Sequence, residues 1–330
     1  METKRVRRRH YQLAFVVIAT LLLFILVMLP FTVASVVTDV FGPPVGRVHS
    51  IPPGPEPAPA ASHARLNIAF VALDEPQALL TLRVTGYRLC EGPCSWTERL
   101  VFFAVPPEDY DGDGLPPSAV VTLPNSTGEV NESVQLPVQG QPTRYPFDTY
   151  DLRLGIAVER APTDGTLKAA TQAEVASTLF LSVQEQLVRQ TMAPPRAVAP
   201  SDVRAPHVRY TYLYVYDLRF QRPVYLQVLA VLLTLLVTAA AAYAVFMRPL
   251  SELVVNSGAL VLGVWGVRQI LVPANNTFVT AVDLSLSVVI LFLLGAITVR
   301  ALLFVHERSG LELHRRLGAR RGKPPAPDPG

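Results

Sequence analysis

The stretch RYPFDTYDLRL, residues 144–154, decides the fold of the region that separates the hydrophobic segments of this chain. Pro146 has a fixed φ and restricts Tyr145 to an extended conformation, and the Asp148 carboxylate is suited to closing a turn by accepting backbone N–H groups. Apolar side chains then stand at alternate positions, namely Tyr150, Leu152, Leu154, Ile156 and Val158. A period of two is typical of a strand with one buried face. We therefore predict that Tyr145-Pro146-Phe147-Asp148 is a structural turn that starts a core strand at Tyr150.

The same alternation recurs throughout residues 65–222. Eight segments show it: Leu66–Leu73, Leu80–Leu89, Leu100–Val105, Ala119–Leu123, Ser133–Val138, Tyr150–Val158, Thr178–Leu187 and Val208–Phe220. Turn-forming residues between them, at this spacing, predict an antiparallel β-sandwich. Residues 166–175 fit a helical turn or a loop equally well, and the proline-rich residues 194–206 are predicted to form a loop.

Long apolar segments predict a membrane protein. Hydrophobic residues make up 50% of the chain, and a membrane-spanning helix needs about 20 mostly apolar residues. Four segments have this length: Leu13–Val33, Val224–Met247, Leu253–Val272 and Leu284–Val305. The predicted fold class is therefore an α+β membrane protein, in which an extracytoplasmic antiparallel β-sandwich follows one transmembrane helix and precedes three more.

The first apolar segment has two interpretations. The basic start METKRVRRRH followed by an apolar run is also found in cleaved secretory signals, and Val33-Ala34-Ser35 resembles a weak cleavage site. The apolar core of a signal is typically about 7–15 residues long, however, and this segment is longer. A retained membrane anchor is therefore favoured over a cleaved signal.

Basic residues at the segment ends predict the orientation, because Lys and Arg near a membrane helix stay on the cytoplasmic side. They occupy positions 4, 5, 7, 8 and 9 before the first segment and 308, 315, 316, 320, 321 and 323 after the last. Both termini are thus expected to be cytoplasmic in the cell membrane, with residues 39–222 outside. Those basic ends indicate the anionic headgroups of the lipid bilayer as partners.

The outer region is acidic, since Asp39–Gln221 contains 14 Lys and Arg against 20 Asp and Glu, a formal net charge of −6. With no basic stripe outside, no nucleic-acid partner is expected. The chain divides into a basic N-terminus (1–12), a first transmembrane helix (13–38), a Pro-rich linker (39–64), the β-sandwich (65–222), a three-helix transmembrane region (223–305) and a basic, Pro-rich cytoplasmic tail (306–330).

The last predicted strand carries a row of alternating side chains: Tyr210, Tyr212, Tyr214, Tyr216, Leu218 and Phe220. We interpret the row as a sheet face packed against the partner sheet, with hydroxyl groups reaching its edges. A ligand platform or a membrane-interface belt is the alternative. The strand runs through Arg222-Pro223 directly into the second membrane segment, so we expect the sandwich to be joined to that helix without a linker.

Two small motifs in the outer region suggest a disulfide and a metal. Cys90 and Cys94 lie in an oxidising compartment if the orientation is right, which favours a disulfide-closed turn over a redox or metal-binding pair. Asp109, Asp111 and Asp113 form the opening of a calcium loop. Because Val120 occupies the position of the bidentate carboxylate, a solvated acidic turn is favoured, and a Ca²⁺ site is the alternative.

Charged residues at the membrane segments form a further candidate pair. Arg268 lies about one turn inside the outer end of the third segment, and Asp283 opens the fourth. An ion pair between them at the membrane interface and an arginine that snorkels outward are equally compatible with the sequence. Arg300, near the inner end of the fourth segment, is expected to snorkel.

Catalytic motifs are not found in the sequence. The six histidines are scattered over the tail, the linker and juxtamembrane positions, and there is no Gly-x-Ser-x-Gly elbow, phosphate-binding glycine loop or His-Glu-x-x-His motif. We therefore do not expect an enzyme, although a membrane-bound hydrolase that uses outer-domain carboxylates stays an alternative.

These residues resemble those of a membrane-protein family of bacteria and fungi that contains a domain of unknown function. Tyr145-Pro-Phe-Asp-Thr-Tyr150 matches a Tyr-Pro-Phe-Asp-x-Tyr motif of that family. Arg268, Leu271-Val-Pro273 and Asp283 match its Arg, Leu-Pro and Asp, with one residue intervening between Leu and Pro. The resemblance covers most of residues 65–305 and implies an N-terminal helix, a β-rich outer domain and three closing helices, but no activity.

YPFDTYDLRLGI and LRFQRPVYL are also similar, more distantly, to two places in Cys-loop receptor channels. These are the aromatic-Pro-Phe-Asp loop of the extracellular sandwich and the basic-Pro step into a helix, so the likeness implies a homo-oligomeric channel. This chain departs from that pattern because no cysteines flank YPFD, an extra helix comes first, only three helices follow, and the third segment lacks a Ser/Thr-lined face.

The sequence thus favours a non-catalytic, membrane-anchored binding, sensory or structural protein. Its expected partners are the lipid bilayer and either an outer-face protein, an envelope component or further copies of itself. A homo-oligomeric channel and a membrane-bound hydrolase are the alternatives.

Overall fold

The computed structural model describes residues 27–28, 30, 33–34, 37, 48–53, 57–92, 94, 96–106, 116–162, 165–203, 211–247, 249–272 and 278–321. They belong to two compact units. The sheet unit comprises Pro30–Gln227 and Asn275–Thr280, and the helical unit comprises Met1–Leu29, Val228–Ala274 and Ala281–Gly330.

Two sheets form the sheet unit. Its described strands are β1 (Val48–Ile51), β2 (His63–Asp74), β3 (Leu79–Leu89), β4 (Trp96–Val105), β5 (Ser118–Thr122), β6 (Gly128–Pro137), β7 (Gln139–Gly140), β8 (Thr149–Pro162), β9 (Lys168–Ala169), β10 (Leu179–Glu185), β11 (Thr191–Met192), β12 (Arg196–Val198) and β13 (Tyr214–Gln221). The first sheet has the order β1-β10-β2-β3-β6. The second has the order β11-β13-β8-β4-β5, with β12 on β13 and with β7 and β9 on β8.

The inward faces of the two sheets share one apolar core, as the alternating pattern predicts. Leu80 on β3 and Leu154 on β8 are fully buried in the same hydrophobic cluster. Phe70 of the first sheet meets Phe220 of the second edge to face, with ring centroids 5.4 Å apart. Because each sheet covers the apolar face of the other, the predicted β-sandwich-like architecture is confirmed, and each of the eight predicted segments overlaps a strand.

One pair of strands contradicts the all-antiparallel prediction. Strand β10 runs parallel to β2, with Leu179 opposite Ala64 and Glu185 opposite Phe70. Its other side pairs antiparallel with β1, which lies within the predicted Pro-rich linker. The pairing with β1 protects β10. Without β1, the N–H and C=O groups along the free side of β10 would be left unpaired at the edge of the sheet.

The ambiguous segment after β8 contains a short strand and one helical turn. Residues 168–169 form β9, and Gln172–Val175 form the single turn α1. The Glu174 side chain closes the start of this turn, since its Oε2 accepts from the backbone N–H of Thr171 at 2.6 Å. Of the predicted loop at residues 194–206, the part 196–198 is β12, which pairs with β13.

The row of tyrosines does not keep to one face. Tyr214 and Tyr216 belong to the core between the sheets, whereas Tyr212 packs in a separate cluster with Phe103 and Val215, its ring centroid 5.6 Å from that of Phe103. The alternation breaks at Leu213, a bend that precedes β13 and points into the main core. Packing is thus the role of the three described tyrosines, and Tyr210 lies outside the described residues.

Three helices form the described core of the helical unit: α2 (Val224–Met247), α3 (Leu250–Leu271) and α4 (Ala281–Arg321). Each contains a segment long and apolar enough to cross a membrane, namely Val224–Phe246, Glu252–Leu271 and Ala281–His306. These coincide with the second to fourth predicted segments. The first, Leu13–Val33, lies largely outside the described residues.

Arg300 does not simply extend toward solvent as expected of a snorkelling side chain. Its Nη1 donates to the backbone carbonyl of Val245 at 2.6 Å. Val245 lies in the last turn of α2, where carbonyl groups have no partner within the helix. A cation at this position also interacts favourably with the helix dipole, so Arg300 connects α4 to the end of α2.

Alkaline pH is expected to destabilise the sandwich, because burial raises the pKa of Tyr212 and of Tyr216 from 10.0 to about 12. The unfolded chain ionises these phenols near pH 10 while the folded chain holds their protons. The free energy of unfolding should therefore be unaffected below pH 10 and should fall between about pH 10 and 12. Tyrosinate absorbance at 295 nm and denaturant unfolding of the detergent-solubilised chain measure both effects.

The matched variants are Tyr216→Phe and Tyr87→Phe, since Tyr87 is 46% exposed. The first should remove a late step of the absorbance titration, and the second should leave that step in place. A single ionisation of all tyrosines near pH 10 in the folded chain would contradict the prediction.

Candidate functional site

The register of β8 and β13 places two charged residues opposite each other at one end of the sandwich. Gln221 at the end of β13 pairs with Thr149 at the start of β8, so that Arg222 and Asp148 are the next residues beyond the register. Tyr150 and Phe220, two positions further in, both point into the core. Because side chains alternate, Asp148 and Arg222 share this inward direction.

Asp148 and Arg222 form a buried ion pair. Nε of Arg222 donates to both carboxylate oxygens at 3.1 Å, and Nη2 donates to Oδ2 at 3.0 Å. The two residues are only 1% and 2% exposed. Buried charges are tolerated when they are paired and hydrogen-bonded, and this geometry meets both conditions.

Two further side chains complete what we call the junction cluster: Asp148, Arg222, Glu75 and Tyr145. Nη2 of Arg222 also donates to Oε1 of Glu75, in the turn between β2 and β3. The Arg222 guanidinium lies 4.8 Å from the centroid of the Tyr145 ring, within the range of a cation–π interaction. Glu75 comes from the first sheet and Asp148 and Arg222 from the second, so the cluster links the two sheets.

The electrostatics of the junction cluster keep the arginine charged and the phenols neutral. Burial alone lowers the pKa of Arg222, but the hydrogen bonds and negative charges of Asp148 and Glu75 outweigh it and hold that pKa above its ordinary value. Burial raises the pKa of Tyr145 and of the neighbouring Tyr150, and the charges of Asp148 and Glu75 act in the same direction. The cluster therefore places a charged guanidinium beside two neutral phenols.

The turn before β8 is closed by the backbone, so the Asp148 carboxylate has a different role from the predicted one. The N–H of Tyr145 donates to the carbonyl of Pro142, and that of Phe147 to the carbonyl of Arg144 at 2.8 Å. Tyr145 and Tyr150 are buried, while Phe147 is 50% exposed. Asp148 thus binds a side chain 74 residues away instead of the local backbone N–H groups expected from the sequence.

Arg222 is also separated from a helix by a single residue. Pro223 follows it, and the N–H of Leu226 donates to the Pro223 carbonyl at 3.0 Å in the first turn of α2. The side chain of Gln227 donates back to the carbonyl of Arg222 at 3.3 Å. The sheet unit extends through Gln227, so it includes this first turn.

An outward-facing cleft of about 600 Å³ lies over the same two strands, on the face opposite to the core. Two cross-strand ion pairs form its floor: Arg153 with Asp217 at 2.7 Å, and Arg219 with Asp151 at 2.8 Å. Arg196 on β12 also lines it, and the walls include prolines 106, 116, 117, 137 and 194. We call this the outer cleft. Its five charged side chains give it a formal charge of +1.

A second buried ionic network lies at the other end of β8. Glu98 on β4 pairs with Arg160 on β8 at 2.9 Å and with Arg88 on β3 at 3.7 Å. Arg88 also donates to the carbonyls of Pro124 and Trp96, and burial lowers its pKa although Glu98 opposes the shift. This network again links the two sheets, which indicates a structural role.

Three pairs or motifs predicted from the sequence are not among the residues of the junction cluster. Cys90 and Cys94 form a disulfide. In the helical unit, Nε of Arg268 donates to Oδ1 of Asp283 at 2.5 Å, so the structure pairs these two residues. The calcium candidates Asp109, Asp111 and Asp113 lie outside the described residues.

One family is similar to part of this chain. A family described as a domain of unknown function (DUF4436) matches residues 115–200. The match lies within the sheet unit and includes the Tyr145–Tyr150 segment, but it ends before Arg222. No curated protein matches the chain. The similarity therefore indicates an uncharacterised family and assigns no activity to the cluster.

Removing the charge of Asp148 should destabilise the protein far more than removing an exposed charge. In Asp148→Asn the buried guanidinium loses the Asp148 carboxylate and keeps that of Glu75, and we expect the free energy of unfolding to fall by about 3 kcal/mol. Asp151→Asn is the matched control, because it breaks an exposed pair typically worth about 1 kcal/mol or less. Denaturant unfolding of the detergent-solubilised chain, followed by tryptophan fluorescence, compares the two variants. Equal effects would contradict the role assigned to Asp148.

Proposed function

We propose that this protein is a non-catalytic membrane sensor whose outer β-sandwich binds a ligand or an envelope component and passes the resulting strain to the first turn of helix α2. The observation that carries the proposal is the buried Asp148–Arg222 pair, which is made by the residue directly before Pro223 and α2. The side chain that closes one end of the sandwich is thereby covalently continuous with a membrane-spanning helix.

The helices support insertion into a membrane. At most 22% of any candidate span is buried within the protein, so most of the apolar surface of α2, α3 and α4 lacks a protein cover. A bilayer supplies that cover, since the candidate spans have the length that the hydrocarbon layer requires. With the orientation predicted by the basic ends, the sandwich lies outside the cytoplasm and the C-terminal tail inside.

The outer cleft supports binding on the sandwich. Its floor offers arginine and carboxylate groups side by side, and Arg196 adds a cation, a combination suited to an anionic or zwitterionic polar ligand. The same strands β8 and β13 carry the cleft on their outward face and end at the junction cluster. A ligand that displaces an ion pair on the floor would therefore act on the strands that hold Asp148 and Arg222.

The orientation is tested with single introduced cysteines, because Cys90 and Cys94 are bonded to each other. Val188→Cys, at a position that is 82% exposed on the sandwich, should react with a membrane-impermeant maleimide in intact cells. Ala319→Cys, in the part of α4 beyond its candidate span, should react only after permeabilisation. Equal labelling of both positions in intact cells would contradict the proposed topology.

Ligand binding is tested by photo-crosslinking from inside the outer cleft. A photoreactive amino acid at position 196 should capture a reproducible outer-face molecule in intact cells, whereas the same amino acid at exposed position 188 should not. Captured material should decrease in the Arg153→Gln variant, because one ion pair of the floor is then absent. Repeated capture of nothing, or identical capture at both positions, would count against the proposal.

A homo-oligomeric channel is the second candidate. It is favoured by the contact between the aspartate of the Tyr-Pro-Phe-Asp loop and the arginine at the start of α2, which are the two places of likeness to Cys-loop receptors. It requires a ring-shaped oligomer in mild detergent and ionic current in reconstituted bilayers. A strictly monomeric chain would exclude this function and leave the sensor proposal in place. The membrane-bound hydrolase stays a hypothesis without an assigned acid or base.

A further inference from the structure

A groove of about 630 Å³ runs between the end of α2 and residues 291–300 of α4. Val245 and Phe246 line it from α2, and Phe292, Gly295 and Arg300 are among its lining residues on α4. Its volume lies in the range of small-molecule sites, roughly 300–1,000 Å³. We call it the α2–α4 groove.

The groove is open at Gly295, which has no side chain. A Cβ atom built on Gly295 meets no other atom within 4 Å, so the space beside this residue is open. Phe246 is 61% exposed and Phe292 43%, which leaves aromatic surface along the groove without a protein cover. In a membrane, such an opening is filled by hydrocarbon chains.

A single charge lies among the apolar residues that line the groove. The Arg300 guanidinium donates through Nη1 to the Val245 carbonyl at 2.6 Å, which fixes it at the end of α2. A guanidinium has five N–H donors in a planar fork that suits phosphate oxygens. The site therefore presents an apolar slot and a fixed cation, which together match a lipid with an anionic phosphate headgroup.

The position of the groove along the helices agrees with this ligand. Val245 and Phe246 are at the end of the candidate span of α2, and Arg300 lies six residues before the end of that of α4. In the proposed orientation both ends face the cytoplasmic leaflet, where anionic lipids concentrate. Helix α4 continues to Arg321 with five arginines beyond its span, at 308, 315, 316, 320 and 321.

We infer that the α2–α4 groove is a binding site for one anionic phospholipid of the cytoplasmic leaflet, with an acyl chain beside Gly295 and the phosphate at Arg300. The inference rests on the membrane insertion proposed above and assigns the protein a specific lipid partner. The lipid joins α4 to the end of α2, next to the carbonyl that Arg300 already holds.

Native mass spectrometry of the full chain in mild detergent tests the site with added phosphatidylglycerol and phosphatidylcholine of identical acyl chains. The wild-type chain should retain phosphatidylglycerol at least threefold more than phosphatidylcholine. Gly295→Leu should lower the phosphatidylglycerol-bound fraction about fivefold, because the leucine fills the open slot without a clash. Gly263→Leu on α3 is the matched control, since a Cβ there also meets nothing within 4 Å, and it should leave binding unchanged.

The charge is tested separately. Arg300→Gln should bring the retention of the two lipids to equality, and Arg300→Lys should restore part of the preference for phosphatidylglycerol. Equal retention of both lipids by the wild-type chain, or equal effects of Gly295→Leu and Gly263→Leu, would overturn the inference. A dimer that dissociates in Gly295→Leu would also overturn it, because a second chain would then fill the groove.

These outcomes are independent of the cysteine labelling that tests membrane orientation. If labelling fails while the lipid preference and its loss in Gly295→Leu persist, the site stands and the proposed topology is wrong. If labelling succeeds and the groove variants have no effect, the topology stands and the site is wrong.

Discussion

The structure depends on one buried ion pair, between Asp148 and Arg222. Two charges taken out of water are stable only where their hydrogen bonds are all in place, so the pair tolerates little displacement of either strand end. Its formation fixes the register of β8 against β13 and the starting point of α2. Glu75 adds the first sheet to the same set of contacts, and a shift in any of these elements would leave a charge without its partner.

Each end of the sandwich contains an ionic network that joins the two sheets. Glu98, Arg88 and Arg160 join the sheets at one end of β8, and Glu75, Asp148 and Arg222 join them at the other. Between the two ends, the inward side chains of β8 and β13 pack in the apolar core, and the outward ones include two cross-strand ion pairs. The sandwich is therefore held by ionic contacts at its ends and by apolar packing along its length.

Much of the fold can be predicted from local patterns. Alternation located the strands, and the length of the apolar segments located α2, α3 and α4. The parallel pairing of β10 with β2 and the use of residues 48–51 as an edge strand could not be predicted, because both depend on which strands meet in space.

The junction cluster could also be predicted only in part. Asp148 was recognised as part of a turn, and counting back by two from Tyr150 places it on the buried face. Its partner Arg222 follows only from the register of two strands far apart in sequence, and Glu75 had no signal beyond its position in a turn.

Pro223 marks the change from backbone hydrogen bonds of the sheet to those of helix α2. Up to Gln221 the backbone bonds sideways to β8, and from Leu226 onward it bonds along its own helix. Only Arg222 lies between Gln221 and Pro223, whose carbonyl accepts the first bond of the helix. A one-residue insertion there would turn every side chain of α2 by about 100° about the helix axis, because an α-helix has 3.6 residues per turn. The length of this connection is therefore as strongly constrained as its chemistry. Insertions between Arg222 and helix α2 should be the least tolerated length changes in the sheet unit.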